Sequence, residues 1–366
     1  MANTTATIDD ADQLSSTTPI APFIGFLSFQ DILASLRELI SNVLQVFIDV
    51  LGVFTNIINI LVFSKIGLTD SATVVLFGLA VTDLGFLFLS AVSQVLDILD
   101  STVGLRPIEP FKHLAFQVVW WYVMFYDTTI LLTVFSAVQK CACVAMPLTF
   151  KSIFTTSRSV VITTVIYVIV FIYYLPIFTS PGTWTKFDYS RNWTRLYNYY
   201  YPENKLAFSV VHMFSRVVLP FVSQVIVLLC MIVLIYKLRE AQRNRRNMGM
   251  GMEVSGSVYN QLSQQSHKNN SREIRAIQTI TLVSAIFVVC NMPDILITFT
   301  SRFFPEFGDT RKYEGAYKLC SAIQDVFGVT NSAVNIFVYL KYNSRYRRKF
   351  QEIKETICVF QFCLHK

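Results

Sequence analysis

The stretch "LAVTDLGFLF", residues 79–88, places one carboxylate, Asp83, inside a long apolar run. The run extends from about residue 72 to residue 96, and about 20 mostly apolar residues suffice for a helix to cross the hydrocarbon core of a bilayer. Ionisable side chains are costly inside such a helix and usually face a bundle interior or a water cavity. The stretch therefore predicts a membrane helix that buries an acid against its neighbours.

The rest of the chain repeats this apolar length. Of 366 residues, 53% are hydrophobic and 15% are charged, and the mean hydropathy of +0.47 is too high for an ordinary soluble domain. The predicted fold class is all-α, a seven-transmembrane helix bundle with a short amphipathic cytoplasmic helix after the last span. The other six apolar runs lie near 43–63, 114–146, 159–179, 209–236, 276–300 and 316–340.

Basic residues beside the spans predict how the bundle sits in the membrane. Lys and Arg collect between residues 237 and 275 and after residue 340, whereas residues 1–40 contain five acids and one arginine. Because basic loops remain on the cytoplasmic side, the N-terminus is expected outside, in a multi-pass protein of the plasma membrane. The net charge of +7 fits contact with membrane lipids of the inner leaflet, and nucleic acid is not expected as a partner.

One helical domain is expected over residues 43–340, with its third inner loop at about 237–275. Residues 1–42 are predicted to form an extracellular tail, and residues 341–366 a cytoplasmic tail. The amphipathic end of the outer tail, 31–42, either extends the first helix outward or lies in the membrane interface.

Two kinds of covalent modification are suggested by short motifs. Asn3 in "NTT" and Asn192 in "NWT" fall on predicted outer segments and are candidate glycosylation sites. Cys358 and Cys363 follow the basic helix "YNSRYRRKF" and fit palmitoylation, which would hold that helix against the inner leaflet. Free thiols are the alternative for these two cysteines.

Several polar residues are predicted to meet Asp83 inside the bundle. Asn56 lies on the first span, and Asn331, Asn335 and Tyr339 lie on the seventh at i, i+4 and i+8, close to one helical face. A carboxylate that meets several amides could hold a sodium ion or a water network. It could equally act as a polar pin that keeps the helices in register.

A second polar group is predicted in the outer half of the bundle. His212, Arg216 and Pro220 are predicted to share one face of the fifth span, at i, i+4 and i+8. A guanidinium at this depth needs an anion or carbonyl groups, so it either pairs with an acid of the bundle or contacts a ligand. The other members are three acids and two tyrosines, the tyrosines either packing or contacting the ligand: Asp127, Asp294, Asp325, Tyr122 and Tyr126.

Two prolines interrupt predicted spans. Pro220 and Pro293 each remove a backbone hydrogen bond, which weakens the helix locally and allows a bend. A conformational switch needs such elements.

The same residues carry a family resemblance that covers all seven spans. The motifs "GVFTNIINILVF" at Asn56 and "LAVTDL" at Asp83 resemble first- and second-span motifs of the rhodopsin-like G-protein-coupled receptors. "FVVCNMP", with Phe287, resembles their sixth-span motif with Asn291 in place of tryptophan. "NIFVY" resembles their seventh-span motif with Ile336 in place of proline. The resemblance implies an extracellular peptide or small-molecule ligand and a heterotrimeric G protein as partners.

A third-span motif of that family is altered here. In "VQKCACVAMPL", Gln139, Lys140 and Cys141 stand in place of the family's acid, arginine and tyrosine, and Pro147 begins the Pro-Leu pair that follows. In the family the acid restrains the arginine at rest, and the arginine packs under a G-protein helix on activation. Lysine keeps the charge but loses the planar fork, so the resemblance implies coupling with a weaker resting restraint. Alternatively, Lys140 only extends to the membrane interface.

Other departures from the family concern the second outer loop and the class of ligand. The family usually joins the third span to the second outer loop by a disulfide, but of the seven cysteines only Cys320 lies near the outside, so packing is expected to hold loop 177–208. No seventh-span lysine is placed for retinal, and Tyr122 stands where amine receptors carry an aspartate. The chain is most similar in style to invertebrate neuropeptide or chemosensory receptors.

Enzymatic chemistry has no basis in the sequence, because no nucleophile–base set, metal-spaced His/Cys cluster or phosphate loop is present. Two alternatives to a signalling receptor remain. A receptor-shaped protein that binds a ligand without signalling is suggested by the altered motifs. A transporter or channel is disfavoured because no internal repeat is visible.

Overall fold

The first span is one long helix that contains a wider turn. The computed structural model describes residues 28–103, 110–179, 181–188, 193–200, 205–250 and 282–364. Within it, the first span consists of α1 (Phe29–Leu39), one π-helical turn (Ile40–Gln45) and α2 (Val46–Ile66). Ser28 starts α1 with a capping box, in which its backbone N–H donates to Asp31 at 3.0 Å. The stretch 31–42 is therefore an extension of the first helix, as one of the two predicted alternatives had it.

The second, third and fourth spans are uninterrupted α-helices. They are α3 (Ser71–Val103), α4 (Pro110–Ala145) and, after the short α5 (Pro147–Ile153), α6 (Thr156–Thr179). Gly67, with φ of 84°, follows α2 in the left-handed region that favours glycine, and this lets the chain turn toward the second span.

The fifth span contains a second π-helical turn (Phe214–Val218), which joins α7 (Lys205–Met213) to α8 (Leu219–Met250). The sixth span is described as α9 (Leu282–Phe303).

The seventh span is more polar than the others. It consists of α10 (Glu314–Ala333) and α11 (Asn335–Tyr342), which meet at Val334, and α12 (Ser344–Leu364) follows it as the predicted amphipathic helix. Among the described residues, the helices that are long and apolar enough to cross a membrane are the first six spans. Polar residues such as Asp325 lower the hydropathy of α10. The predicted all-α bundle of seven spans is confirmed.

Buried apolar clusters join the spans in groups. One cluster lies among the third, fifth and sixth spans and includes Ile130, Val227 and Phe287. Another joins the first and seventh spans to α12 and includes Phe63, Tyr339 and Tyr346. The outward faces carry exposed apolar side chains, for example Phe54, Phe88 and Ile172, as expected for helices in contact with lipid.

The second outer loop contains the only strands among the described residues. β1 (Pro181–Asp188) pairs antiparallel with β2 (Trp193–Tyr200), so that Pro181 faces Tyr200 in the register. β2 packs against the third span, and no cysteine lies between residues 177 and 208. The loop is thus held by hydrogen bonding and packing, but the hairpin itself was not predicted.

Gly52 lies where the first span approaches the second and seventh spans closely. A Cβ at this position would lie 2.6 Å from Leu87 Cδ1 and 3.0 Å from Ala333 Cβ, whereas a Cβ at Gly328 would lie 3.7 Å from its nearest neighbour, Tyr126. We expect Gly52→Ala to lower the free energy of unfolding by about 1–3 kcal/mol through overpacking. Gly328→Ala is the matched control and should be neutral or stabilising. Apparent Tm values of the purified variants check this, and equal losses in both would contradict it.

Candidate functional site

Asp83 joins three spans through its two carboxylate oxygens. Its Oδ1 accepts hydrogen bonds from Thr129 Oγ1 at 2.9 Å and from Ser332 Oγ at 2.8 Å, and its Oδ2 accepts from Asn335 Nδ2 at 3.1 Å. The side chain is completely buried. Three donors from the third and seventh spans therefore stabilise the acid of the second span. The polar pin and the sodium or water site at Asp83 both stay predictions.

Asn56 reaches Asp83 only indirectly. Its Nδ2 donates to the Ser332 carbonyl at 3.0 Å, and its Oδ1 accepts from Asn59 Nδ2 at 3.2 Å. The Oδ1 of Asn59 in turn accepts from the hydroxyl of Tyr346 on α12 at 2.7 Å. A continuous polar network thus runs from the centre of the bundle to α12.

The predicted seventh-span residues divide in their contacts. Asn335 binds Asp83 directly, whereas Asn331 is buried but is not among the donors to Asp83. Tyr339 packs edge-on against Phe63 and close to Tyr346, with ring centroids 5.4 Å and 5.5 Å away.

Sequence reasoning missed four members of this network. Asn59 had a signal, because it follows Asn56 by three residues and so lies on nearly the same helical face. No sequence signal marked the other three members, which are Thr129, Ser332 and Tyr346. Hydroxyl side chains are common in spans, and the partners of these three are distant in sequence.

The acids of the outer half have neutral partners. Asp127 accepts from the hydroxyl of Tyr174 at 2.6 Å and from Ser215 Oγ at 2.5 Å. Asp294 accepts from Gln324 Nε2 at 2.5 Å. These bonds link the third span to the fourth and fifth, and the sixth to the seventh.

The fifth span departs from the predicted alignment. In a regular α-helix the ring of Pro220 would clash with the carbonyl of Arg216, and the π turn at Phe214–Val218 widens the backbone there. The spacing of four residues no longer equals one turn, so His212, Arg216 and Pro220 do not form the predicted α-helical stripe. His212 is exposed and stacks on Phe208, with ring centroids 6.0 Å apart.

Arg216 has acids nearby but no direct ion pair. It is half-buried, and within the described part of the chain no carboxylate oxygen lies within 4.0 Å of its guanidinium nitrogens. Asp294, Asp127 and Asp325 all interact with it electrostatically, and Asp325 is exposed. One basic and one acidic side chain in this region are therefore at least partly exposed.

Tyrosines and the altered sixth-span motif meet below these charges. The hydroxyl of Tyr126 donates to Asn291 Oδ1 at 2.8 Å, and Asn291 Nδ2 donates to the Phe287 carbonyl at 3.0 Å. Tyr122 and Tyr126 both lie beside Phe86, with ring centroids 6.1 Å and 5.1 Å away. Asn291 therefore connects the third and sixth spans, one turn after Phe287 and two residues before Pro293.

At the inner end of the third span, the neighbouring side chains of Gln139 and Lys140 have different surroundings. Gln139 is completely buried and donates from Nε2 to Ser159 Oγ of the fourth span at 3.2 Å. Lys140 is half-buried and forms no ion pair with the described residues. Cys141 packs beside the buried Cys230. Gln139 stands in place of the acid that restrains the arginine in the family, and no other acid of the described residues forms an ion pair with Lys140.

Some predicted positions cannot be placed in this geometry. Asn3 and Asn192 lie outside the described residues. Pro147 begins α5, and Cys358 and Cys363 belong to α12, but the side chains of these three residues also lie outside what is described.

The Asp83 network can be tested with adjacent threonines of the third span. Thr129→Val removes a donor to the buried carboxylate, and we expect a loss of about 1–3 kcal/mol in the free energy of unfolding. Thr128→Val is the matched control, because the Thr128 hydroxyl donates only to the Met124 carbonyl of its own helix. Thermal unfolding of both variants in detergent measures the difference. A Thr128 variant that loses as much stability would contradict the assigned role.

Comparison with known families bears on the whole bundle. The family model of the 7 transmembrane receptor (rhodopsin family) matches residues 55–339, from the first span to Tyr339 at the end of the seventh. No curated protein gives a significant match to the chain. The family comprises non-enzymatic signalling receptors of the membrane, in agreement with the resemblance of the individual motifs. The chain is therefore a multi-pass membrane protein that belongs to the rhodopsin family of seven-transmembrane receptors.

Proposed function

We propose that the chain is a plasma-membrane receptor, with its N-terminus outside, that binds an extracellular peptide between its outer helix ends and activates heterotrimeric G proteins from its inner face. Membership of the receptor family supports ligand binding and G-protein coupling in general. The observation that carries the ligand class is the pair of accessible opposite charges, Arg216 and Asp325.

The chemistry of these two groups favours a peptide. The Arg216 guanidinium presents planar donors that match a carboxylate, and no carboxylate of the described chain is in direct contact with it. Asp325, on the seventh span, is suited to an amino terminus or a basic side chain. A ligand that carries acidic and basic groups at once satisfies both residues, and peptides have this property. An uncharged odorant would leave both unused.

The route of activation in this proposal passes through Asn291. A ligand beside Tyr122 and Tyr126 lies next to the Tyr126–Asn291 hydrogen bond, so ligand contact biases the packing of the third span against the sixth. Pro293 allows the sixth span to bend close to that point. The same movement displaces the inner ends of the spans, where Lys140, Cys141 and Tyr339 would meet the G protein.

The inner surface has features that suit coupling. Lys140 forms no ion pair with an acid of the described residues, which favours measurable activity without ligand. Arg345 of α12 donates to Asp70 Oδ2 at 2.9 Å and to the Ile66 carbonyl at 3.2 Å, so α12 is fixed against the first inner turn. Palmitoylation of Cys358 and Cys363 would add contact with the inner leaflet. Glycosylation of Asn3 and Asn192 would require both residues to be extracellular, as the proposed orientation has them.

Ligand binding is tested at Arg216. Arg216→Gln removes the charge that would hold an acidic ligand group, and we expect at least a tenfold loss of potency, about 1.4 kcal/mol, for any peptide that activates the wild type. Arg302→Gln is the matched control, since Arg302 is an exposed arginine at the outer end of α9. Concentration–response curves of the three proteins give the comparison. Equal potency in all three would rule out an Arg216 contact.

Coupling is tested at Lys140 by nucleotide exchange on a panel of G-protein α subunits, in membranes without added ligand. Basal exchange should exceed that of empty membranes, disappear in Lys140→Ala and persist in Lys140→Arg, because the positive charge is the retained part of the motif. Lys65→Ala, at the exposed inner end of α2, controls for a general loss of basic charge. Silence of every form, even with a peptide that binds the wild type, would instead identify a ligand binder that does not signal.

A further inference from the structure

Two buried acceptor oxygens in the outer part of the first span have no hydrogen-bond partner. Gln45 and Asp49 are one helical turn apart and are 4% and 0% exposed. Gln45 Nε2 donates to Ser90 Oγ at 3.3 Å, and that hydroxyl donates to Asp49 Oδ2 at 2.9 Å. The remaining oxygens, Gln45 Oε1 and Asp49 Oδ1, are buried without a donor. Such atoms are costly inside a protein and usually indicate a bound water or ion.

The charge on Asp49 has little compensation from the chain. Asp83 receives three hydrogen bonds and Asp127 receives two, whereas Asp49 receives one. Within the described residues no basic nitrogen lies within 4.0 Å of its carboxylate. The charged side chain that acts on it electrostatically is another acid, Asp325. A cation is therefore the group that this position lacks.

The two head groups that carry these oxygens both bond to one hydroxyl. Gln45 ends the π turn of the first span, and Asp49 lies in the first turn of α2 that follows. Because the amide of Gln45 and the carboxylate of Asp49 both bond to Ser90 Oγ, their head groups lie close to each other. Single π-helical turns are rare and occur frequently at functional sites.

This cluster is separate from the Asp83 network. Asp49 precedes Asn56 by seven residues and Ser90 follows Asp83 by seven, so the cluster lies about 10 Å nearer the outer side of the membrane. No hydrogen bond of the described residues connects the two groups.

We propose that Asp49, Gln45 and Ser90 form a sodium-binding site. Only oxygen atoms are offered, which suits a hard cation, and the single carboxylate matches a monovalent charge. The ion would be bound by Asp49 Oδ1, Gln45 Oε1 and the Ser90 hydroxyl oxygen, and it would offset the repulsion between Asp49 and Asp325. It would stabilise the contact of the first span with the second.

The test measures thermal unfolding of the purified full-length chain in sodium chloride and in N-methyl-D-glucamine chloride of the same concentration. Equal ionic strength cancels charge screening, so the difference reports sodium binding to the folded protein. We expect sodium to raise the apparent Tm by at least about 3 °C. The rise should vanish in Asp49→Asn and shrink in Gln45→Met and Ser90→Ala.

Two variants locate the effect. Ser93→Ala removes another buried hydroxyl of the second span, three residues from Ser90, and should keep the full response to sodium. Asp83→Asn should also keep it. Should Asp49→Asn fail to fold, Gln45→Met and Ser90→Ala carry the comparison.

Either of two results would overturn the site. Unfolding of the wild type at the same temperature in both salts would indicate that a shared proton, rather than sodium, satisfies the two oxygens. A sodium response that Asp83→Asn abolishes and Asp49→Asn retains would place the ion elsewhere. Because the readout is unfolding and needs neither peptide nor G protein, its failure leaves the proposed receptor function untouched, and failed coupling leaves the sodium site untouched.

Discussion

A carboxylate inside a membrane helix must find its donors on other helices, and Asp83 is where this requirement organises the bundle. Water is absent from the hydrocarbon core, so an unmet acid there is expensive. Thr129 and the pair Ser332 and Asn335 meet it from two other spans. A shift of one residue in either span would remove these donors, and the bonds thereby fix the register of three helices.

The network extends this requirement to the first span and to α12. Asn56 holds the backbone of the seventh span at the Ser332 carbonyl, one residue from the point where α10 ends. Asn59 and Tyr346 then join the cytoplasmic helix to the same set of bonds. Movement of the seventh span is consequently coupled to the position of α12, even though proline is missing from its motif. The interruption at Val334 persists with Ile336 buried in the neighbouring apolar cluster.

Sequence reasoning predicted those features that depend on composition and spacing. Seven apolar lengths and the Asp83–Asn335 contact follow from hydropathy and from helical periodicity. The π turn beside Arg216 could not be predicted, because proline permits either a kink or a wider turn and tertiary packing decides between them. The absence of a direct ion pair at Arg216 could not be predicted either. Tyr174 and Ser215 donate to Asp127, and Gln324 donates to Asp294, and all three donors lie on spans other than that of the acid they bind. Substituted motif residues such as Gln139 and Asn291 acquired partners that only the fold brings near.

The β-hairpin of the second outer loop packs on the third span with no cysteine between residues 177 and 208. No disulfide within the loop fixes it, so non-covalent contacts alone determine the position of the hairpin on the third span. Maturation of the outer surface accordingly makes no demand on thiol-oxidising enzymes at this loop. A reducing agent would therefore leave the attachment of this hairpin to the third span unchanged.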